Sequence, residues 1–140
     1  MIRLLLSVFI ASLLFTGCGK RTPGPADSYR QFHKSLTKFA REPWATYRRQ
    51  AFAMLSTPDQ EHFQKQADAL NAKLPQGVLP LEADQLLRVG SLKTSKPIDT
   101  IDVVEATADQ ATLSIAQGDT ASTVTMVLEG AAWRVRLLTP

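Results

Sequence analysis

The sequence predicts an α+β domain in which N-terminal helices pack on a four-stranded antiparallel β-meander. Three observations carry this expectation. Apolar residues recur at three- and four-residue spacing from Tyr29 to Leu74. From Ile98 the period shortens to two, in four β-rich runs. The breaks between those runs are short, which joins neighbouring strands as hairpins.

The first helix is read from Tyr29, Phe32, Leu36, Phe39 and Ala40, with Arg30, Lys34 and Lys38 between them. Asp27 or Ser28 is expected to cap it. Pro43 ends it and suits the first turn of a second helix. Trp44, Tyr47, Ala51, Met54 and Leu55 form the apolar stripe of that second helix. Thr57-Pro58-Asp59-Gln60 opens a third: Thr57 as N-cap, Pro58 at N1, Asp59 complementing the helix dipole and Gln60 reaching back. Phe63, Ala67, Leu70 and Leu74 continue its apolar face until Pro75-Gln76-Gly77 stops it. Leu81 to Leu87 adds one short turn of helix.

The strands are expected at Ile98–Thr107, Ala111–Ala116, Ala121–Leu128 and Ala131–Leu138. On the third, Val124, Met126 and Leu128 share one face, opposite Thr123 and Thr125. On the fourth, Trp133, Val135 and Leu137 oppose Arg134 and Arg136. One face of the sheet is therefore buried and the other wet. The helices must cover the apolar face, giving two layers.

At 140 residues the chain has room for one ordinary domain. Hydrophobic residues at 44% and charged residues at 21% are globular values and argue against disorder. One cysteine excludes an internal disulfide and a cysteine-rich zinc site.

The N-terminus reads as an address. Arg3 precedes Leu4 to Phe15, a run without charge. Twelve helical residues rise about 18 Å, short of a hydrocarbon core of about 30 Å, so the run suits a secretory signal rather than a permanent span. Leu14-Phe15-Thr16-Gly17-Cys18 follows. It resembles the lipobox of bacterial lipoproteins, with Phe15 in place of the usual Leu, Val or Ile. The resemblance implies cleavage between Gly17 and Cys18 and acylation of Cys18. Gly19 stands where an Asp would retain such a lipoprotein at the inner membrane. The implied address is the outer membrane, facing the periplasm.

Residues 1–17 are thus expected to be a signal peptide, and 18–27 the lipidated cysteine with a flexible Pro/Gly-rich tether. Residues 28–140 are expected to form a single domain. Residues 20 to 49 carry eight cations against two anions, and residues 50 to 140 seven against eleven. A basic membrane-proximal half suits an anionic surface. Nucleic acid does not fit an exported chain of such modest net charge.

The order of elements carries a second resemblance. Ala51-Phe52-Ala53-Met54-Leu55-Ser56-Thr57, the Asp109-Gln110-Ala111-Thr112-Leu113 hairpin and the closing Gly130-Ala131-Ala132-Trp133-Arg134-Val135 strand occur in sequence. Together they resemble the nuclear-transport-factor-two-like, or cystatin-like, superfamily over about residues 28 to 138. That resemblance implies a curved sheet wrapped around the helices as a cone, often with a pocket at its mouth. Members include ketosteroid-isomerase-like and polyketide-cyclase-like enzymes as well as non-catalytic binding modules. Fold alone does not choose between them.

The candidate pocket residues are Trp44, Tyr47, Phe63, Asp102 and Trp133. An isomerase-like site would need a carboxylate base and a facing donor, for which Tyr47, His62, Asp99 and Asp102 are the available groups. His33 and His62 are the only histidines, and neither belongs to a His-Glu-x-x-His motif. No phosphate loop or nucleophile elbow is present. No catalytic residue, metal site or cofactor is therefore assigned. The candidate partner face is the outward side of the sheet: Thr112, Ser114, Thr123, Thr125, Arg134 and Arg136.

The leading expectation is a membrane-anchored periplasmic lipoprotein acting as a non-catalytic binding or scaffold module. Its partners would be the bilayer, through acylated Cys18, and an envelope protein or a second copy. Two alternatives stand beside it. One is a small isomerase- or cyclase-like enzyme, or an apolar-ligand carrier, using a cone pocket. The other is a purely structural subunit of an envelope machine.

Overall fold

The computed structural model describes residues 21–42, 44–87 and 96–138. The expected signal peptide, the Gly17-Cys18 cleavage site and the Pro43 helix break lie outside these residues. The elements are α1 (Pro25–Arg41), α2 (Ala45–Ala53), α3 (Thr57–Asn71), a 3-10 turn (Ala83–Leu86), and strands β1 (Thr100–Ala106), β2 (Gln110–Gln117), β3 (Thr120–Glu129) and β4 (Ala132–Arg136). The strands form one antiparallel sheet in the order β1-β2-β3-β4. Three helices precede a four-stranded meander, as the change of period predicts.

α1 starts earlier than expected, at Pro25, with Gly24 as a cap that has no side chain to offer. Proline suits the first helical position because its φ is preset and its missing N–H would have no partner there. Asp27 is consequently not a cap. It sits in the first turn and pairs with Arg30 at 3.3 Å. Lys38 and Arg41 complement the dipole at the other end. The helix therefore takes in the last residues of the stretch expected to be tether.

α1 packs across β1, β2 and β4. Its Tyr29, Phe32 and Leu36 join Ile101 of β1, Leu113 and Ile115 of β2, Met126 of β3 and Val135 of β4 in the core. Each such side chain contributes about 1.5–3 kcal/mol by leaving water. Ala51 and Leu55 enter the same core from α2 and the segment after it. The alternation in β2 is complete: Ala111, Leu113, Ile115 and Gln117 are buried, while the residues between them are half-exposed.

β1 is an edge strand and slips register between Val103 and Glu105, leaving Val104 as the extra residue of a bulge. Such a kink disfavours edge-to-edge pairing. The β2–β3 and β3–β4 turns place Gly118 and Gly130 at φ of 60° and 63°, a left-handed conformation that costs other residues about 1–2 kcal/mol. The strands pair to within one or two residues of their expected bounds, and β4 stops at Arg136, two short of Leu138. Beyond Arg136, the Leu137 and Leu138 N–H groups turn to the carboxylate of Asp59 instead of extending the ladder.

The start of α3 also departs from expectation. Ser56, not Thr57, occupies the N-cap. Its hydroxyl donates to Asp59 Oδ2, while the Thr57 N–H and hydroxyl donate to Glu129 at 2.9 and 2.8 Å. Gln60 donates to the Leu55 carbonyl rather than reaching back to a cap amide. A carboxylate from the β3–β4 hairpin thus does the work the local sequence was expected to do. Just upstream, Leu55 forms a parallel bridge with Val135, in which Ser56 N–H donates to the Val135 carbonyl and Val135 N–H to that of Met54. The α2–α3 junction is stitched along the β4 edge in this way.

α3 sends Phe63 against the margin of the core. It packs on the 3-10 turn, with Ala67 buried and Leu70 exposed. The turn itself lies within the short helix expected over Leu81 to Leu87, and carries a capping box between Glu82 and Gln85. Two ion pairs fasten it to α2. Arg48 Nε meets Asp84 at 2.7 Å in a largely buried setting, and Arg49 meets Glu82 at 2.7 Å in water.

Candidate functional site

The five candidate pocket residues are not gathered into one cavity. Trp44 lies outside the helix at the α2 N-cap and is 66% exposed, so it lines nothing. Its place at the head of the apolar stripe came from spacing alone; α2 begins after it. Tyr47 is half-buried on α2, with Lys38 Nζ 5.1 Å from its ring centroid. Phe63 packs on Phe52, centroids 6.1 Å apart, and Trp133 packs at the margin of the core. Asp102 is exposed on β1, opposite Ser114, and alternates with the buried Ile101. It therefore projects from the sheet face turned away from α1. Tyr47 belongs to the helical layer and Asp102 to the far side of the sheet. Between those layers, Phe32, Leu36, Leu113, Ile115, Met126 and Val135 are each at most 2% exposed.

The other groups considered for chemistry are engaged elsewhere. Asp99 accepts the Gly118 N–H at 2.6 Å and braces the β2–β3 turn. His62 is exposed and bonds Gln66 at 2.9 Å along one helical turn. Every buried side-chain nitrogen and oxygen among the described residues has a hydrogen-bond partner. Asp59 is 1% exposed and accepts from Ser56, Leu137 and Leu138. No three His, Cys, Asp or Glu side chains among the described residues could hold a metal ion together, and no described helix is long and apolar enough to cross a membrane.

His33 and Gln117 form a buried polar couple between α1 and β2. Gln117 Nε2 donates to the Lys96 carbonyl at 2.9 Å and lies 3.3 Å from His33 Nε2. An amide nitrogen has only N–H groups to offer, so the ring nitrogen facing it is the acceptor. The ring proton then sits on Nδ1, which faces Thr37 Oγ1 at 3.5 Å. Burial pushes the His33 pKa down and the Tyr29 phenol up. On the surface, the hydrogen bond to Glu82, and then its charge, hold the Arg49 guanidinium above its usual range.

The outward sheet face does come together. The register sets Thr112 opposite Thr125 and Ser114 opposite Thr123, with Arg136 opposite Thr125 on the next strand. These side chains share the face opposite the core because their neighbours Leu113, Met126 and Val135 are buried. Arg134 begins on that face but is diverted: Nη1 donates to the Ala53 carbonyl at the end of α2. It serves as a C-terminal helix cap and is not a free cation of the face.

A second surface feature was not expected. α1 and α2 border an open groove of about 460 Å³ lined by Gln31, Lys34, Ser35 and Lys38 of α1 and by Gln50, Ala53 and Met54 beside them. The α1 residues recur at helical spacing and read from sequence as a solvated side. That they border a groove depends on how α2 lies, which no local pattern encodes.

The chain matches no family model, no curated protein and no solved structure.

Proposed function

We propose that this protein is a lipid-anchored module of the cell envelope that offers its outward sheet face to a protein partner and performs no chemistry of its own. The observation that carries the anchor is the segment Leu14-Phe15-Thr16-Gly17-Cys18 directly after an uncharged run. Support for binding rather than catalysis comes from the polar side chains. Asp59, Asp84, His33 and Gln117 each satisfy a fold contact, whereas Thr112, Ser114, Thr123, Thr125 and Arg136 form one contiguous polar surface.

Two measurements test this. Intact mass of the membrane-extracted protein is expected to give a chain starting at Cys18 with two or three acyl groups, and Cys18→Ser is expected to remain unprocessed. Recovery of the native chain from Met1, with a free thiol, overturns the anchor. A photo-crosslinker at Thr123 is expected to capture one discrete species in intact cells, a second copy or another envelope protein, and Arg136→Glu to abolish the adduct. An unchanged crosslinking and sedimentation profile removes the docking face.

A further inference from the structure

We infer that the solvent-facing stripe of α1 is a bilayer-docking surface that lays the domain side-on against the anionic phospholipid headgroups of its own membrane. This rests on the reading of Cys18 as acylated. Arg30, Lys34, Lys38 and Arg41 follow one another at i, i+4, i+8 and i+11 and are all exposed. At 100° per residue they fall within roughly 80° of one another. Tyr29, Phe32 and Leu36, buried against the sheet, lie on the other side of the helix.

The cations of this stripe differ from those of α2. Arg48 and Arg49 are paired with Asp84 and Glu82. On α1, Asp27 offsets Arg30, but Lys34 and Arg41 make no ion pair among the described residues. Lys38 rests on the Tyr47 ring, an arrangement that leaves its charge unneutralised. Gln31 and Ser35 place hydrogen-bonding groups beside Lys34 and Lys38 along the groove. The surface therefore offers cations and neutral polar groups together, the chemistry that a phosphate-bearing headgroup layer takes up.

The anchor geometry selects the bilayer as occupant. Pro25 lies seven residues past Cys18, within about 25 Å of fully extended chain. The 17 residues of α1 span a similar length, about 25 Å. A tether of that reach allows the whole stripe to settle on the surface from which the chain emerges. Residues 50 to 140 carry eleven anions against seven cations and disfavour the inverted orientation. With α1 down, the outward sheet face points away from the membrane.

The test uses the acylated full chain with Gln31→Cys as its single reactive thiol, labelled with an environment-sensitive fluorophore and challenged with acrylamide, a neutral quencher. Vesicles are phosphatidylcholine alone, or phosphatidylcholine with about one part in three phosphatidylglycerol. Protection is expected only on the anionic vesicles, and its loss in about 0.5 M salt. Lys34→Gln with Lys38→Gln is expected to lower the docked-to-undocked ratio on the order of 25-fold, about fivefold per cation. The same label at Thr123 gives quenching that neither vesicle composition changes. Equal quenching on both vesicles, protection that survives salt and the double substitution, protection at Thr123 instead, or displacement by soluble glycerol phosphate each overturns the inference. Acylated protein with an unprotected Gln31 position defeats this inference alone; a chain without acyl groups defeats the anchor on which it rests.

Discussion

The carboxylate of Asp59, in the first turn of α3, accepts the backbone N–H of Leu138 at 2.9 Å, and that of Leu137 at 3.0 Å. One side chain thereby ends β4, redirects the C-terminal segment and receives the Ser56 hydroxyl. Removing it strands two part-buried backbone donors and the buried Ser56 hydroxyl. Asp59→Ala is expected to cost about 3 kcal/mol, since each orphaned buried group costs about 1–3 kcal/mol. Urea unfolding checks this, with the exposed Asp119→Ala as a control that stays within about 0.5 kcal/mol.

Glu129 caps α3 from the hairpin on the far side of the chain, taking both the N–H and the hydroxyl of Thr57. Glu129→Ala is expected to destabilise by about 1 kcal/mol, the usual worth of an N-terminal cap with its dipole contribution. Amide exchange should quicken first at Thr57, the donor that loses its acceptor. Unchanged protection there would show that Glu129 contributes no cap.

Two ion pairs join α2 to the 3-10 turn at the same 2.7 Å separation, but their surroundings differ. The Arg48 and Asp84 side chains are 17% and 7% exposed, so Asp84→Ala leaves a partly buried guanidinium without its partner. A loss of about 3 kcal/mol is expected, and Arg48→Met combined with Asp84→Leu should recover most of it. Arg49→Ala at the exposed pair, which leaves the Glu82 capping box in place, should show no measurable change. A double-mutant cycle in thermal denaturation separates the two cases.

Burial lowers the folded-state pKa of His33 from the ordinary 6.5. The unfolded chain then binds the proton first as pH falls, so stability rises with pH across this window. The contribution is fully present above about pH 6.5 and is lost as pH drops from there toward the depressed folded value. His33→Gln, which retains an acceptor for Gln117, is expected to flatten the stability profile over that range. An unchanged profile between pH 7 and 5 would remove His33 as its source.

Much of the architecture was legible in the residues. The i, i+3, i+7 recurrence of Tyr29, Phe32 and Leu36 identifies the buried side of α1, since side chains one turn apart share a face. Alternation in Ala111, Leu113 and Ile115 likewise identifies the core side of β2. It also picks out Thr123, Thr125 and Arg136 as outward. The failures differ in physical origin. Trp44 satisfied the spacing of a stripe but lay beyond the end of its helix, where periodicity no longer applies. Tyr47 and Asp102 were plausible partners by residue type, yet strand parity turned Asp102 to the opposite side of the sheet. Arg134 had the right parity for the outward face, and a free carbonyl at the end of α2 drew it away.

By itself, then, the sequence determined the order of helices and strands, the buried faces of α1 and β2, and the outward placing of Thr112, Ser114, Thr123, Thr125 and Arg136. Those follow from period and turn chemistry, which act over a few neighbours. Only the tertiary structure decided that Glu129 caps α3, that Asp59 ends β4, and that Leu55 bridges Val135. The hydrogen bonds of Glu129 and Asp59 join residues 72 to 79 positions apart. Which donor meets which acceptor over that distance depends on how the layers settle, and local pattern carries no record of it.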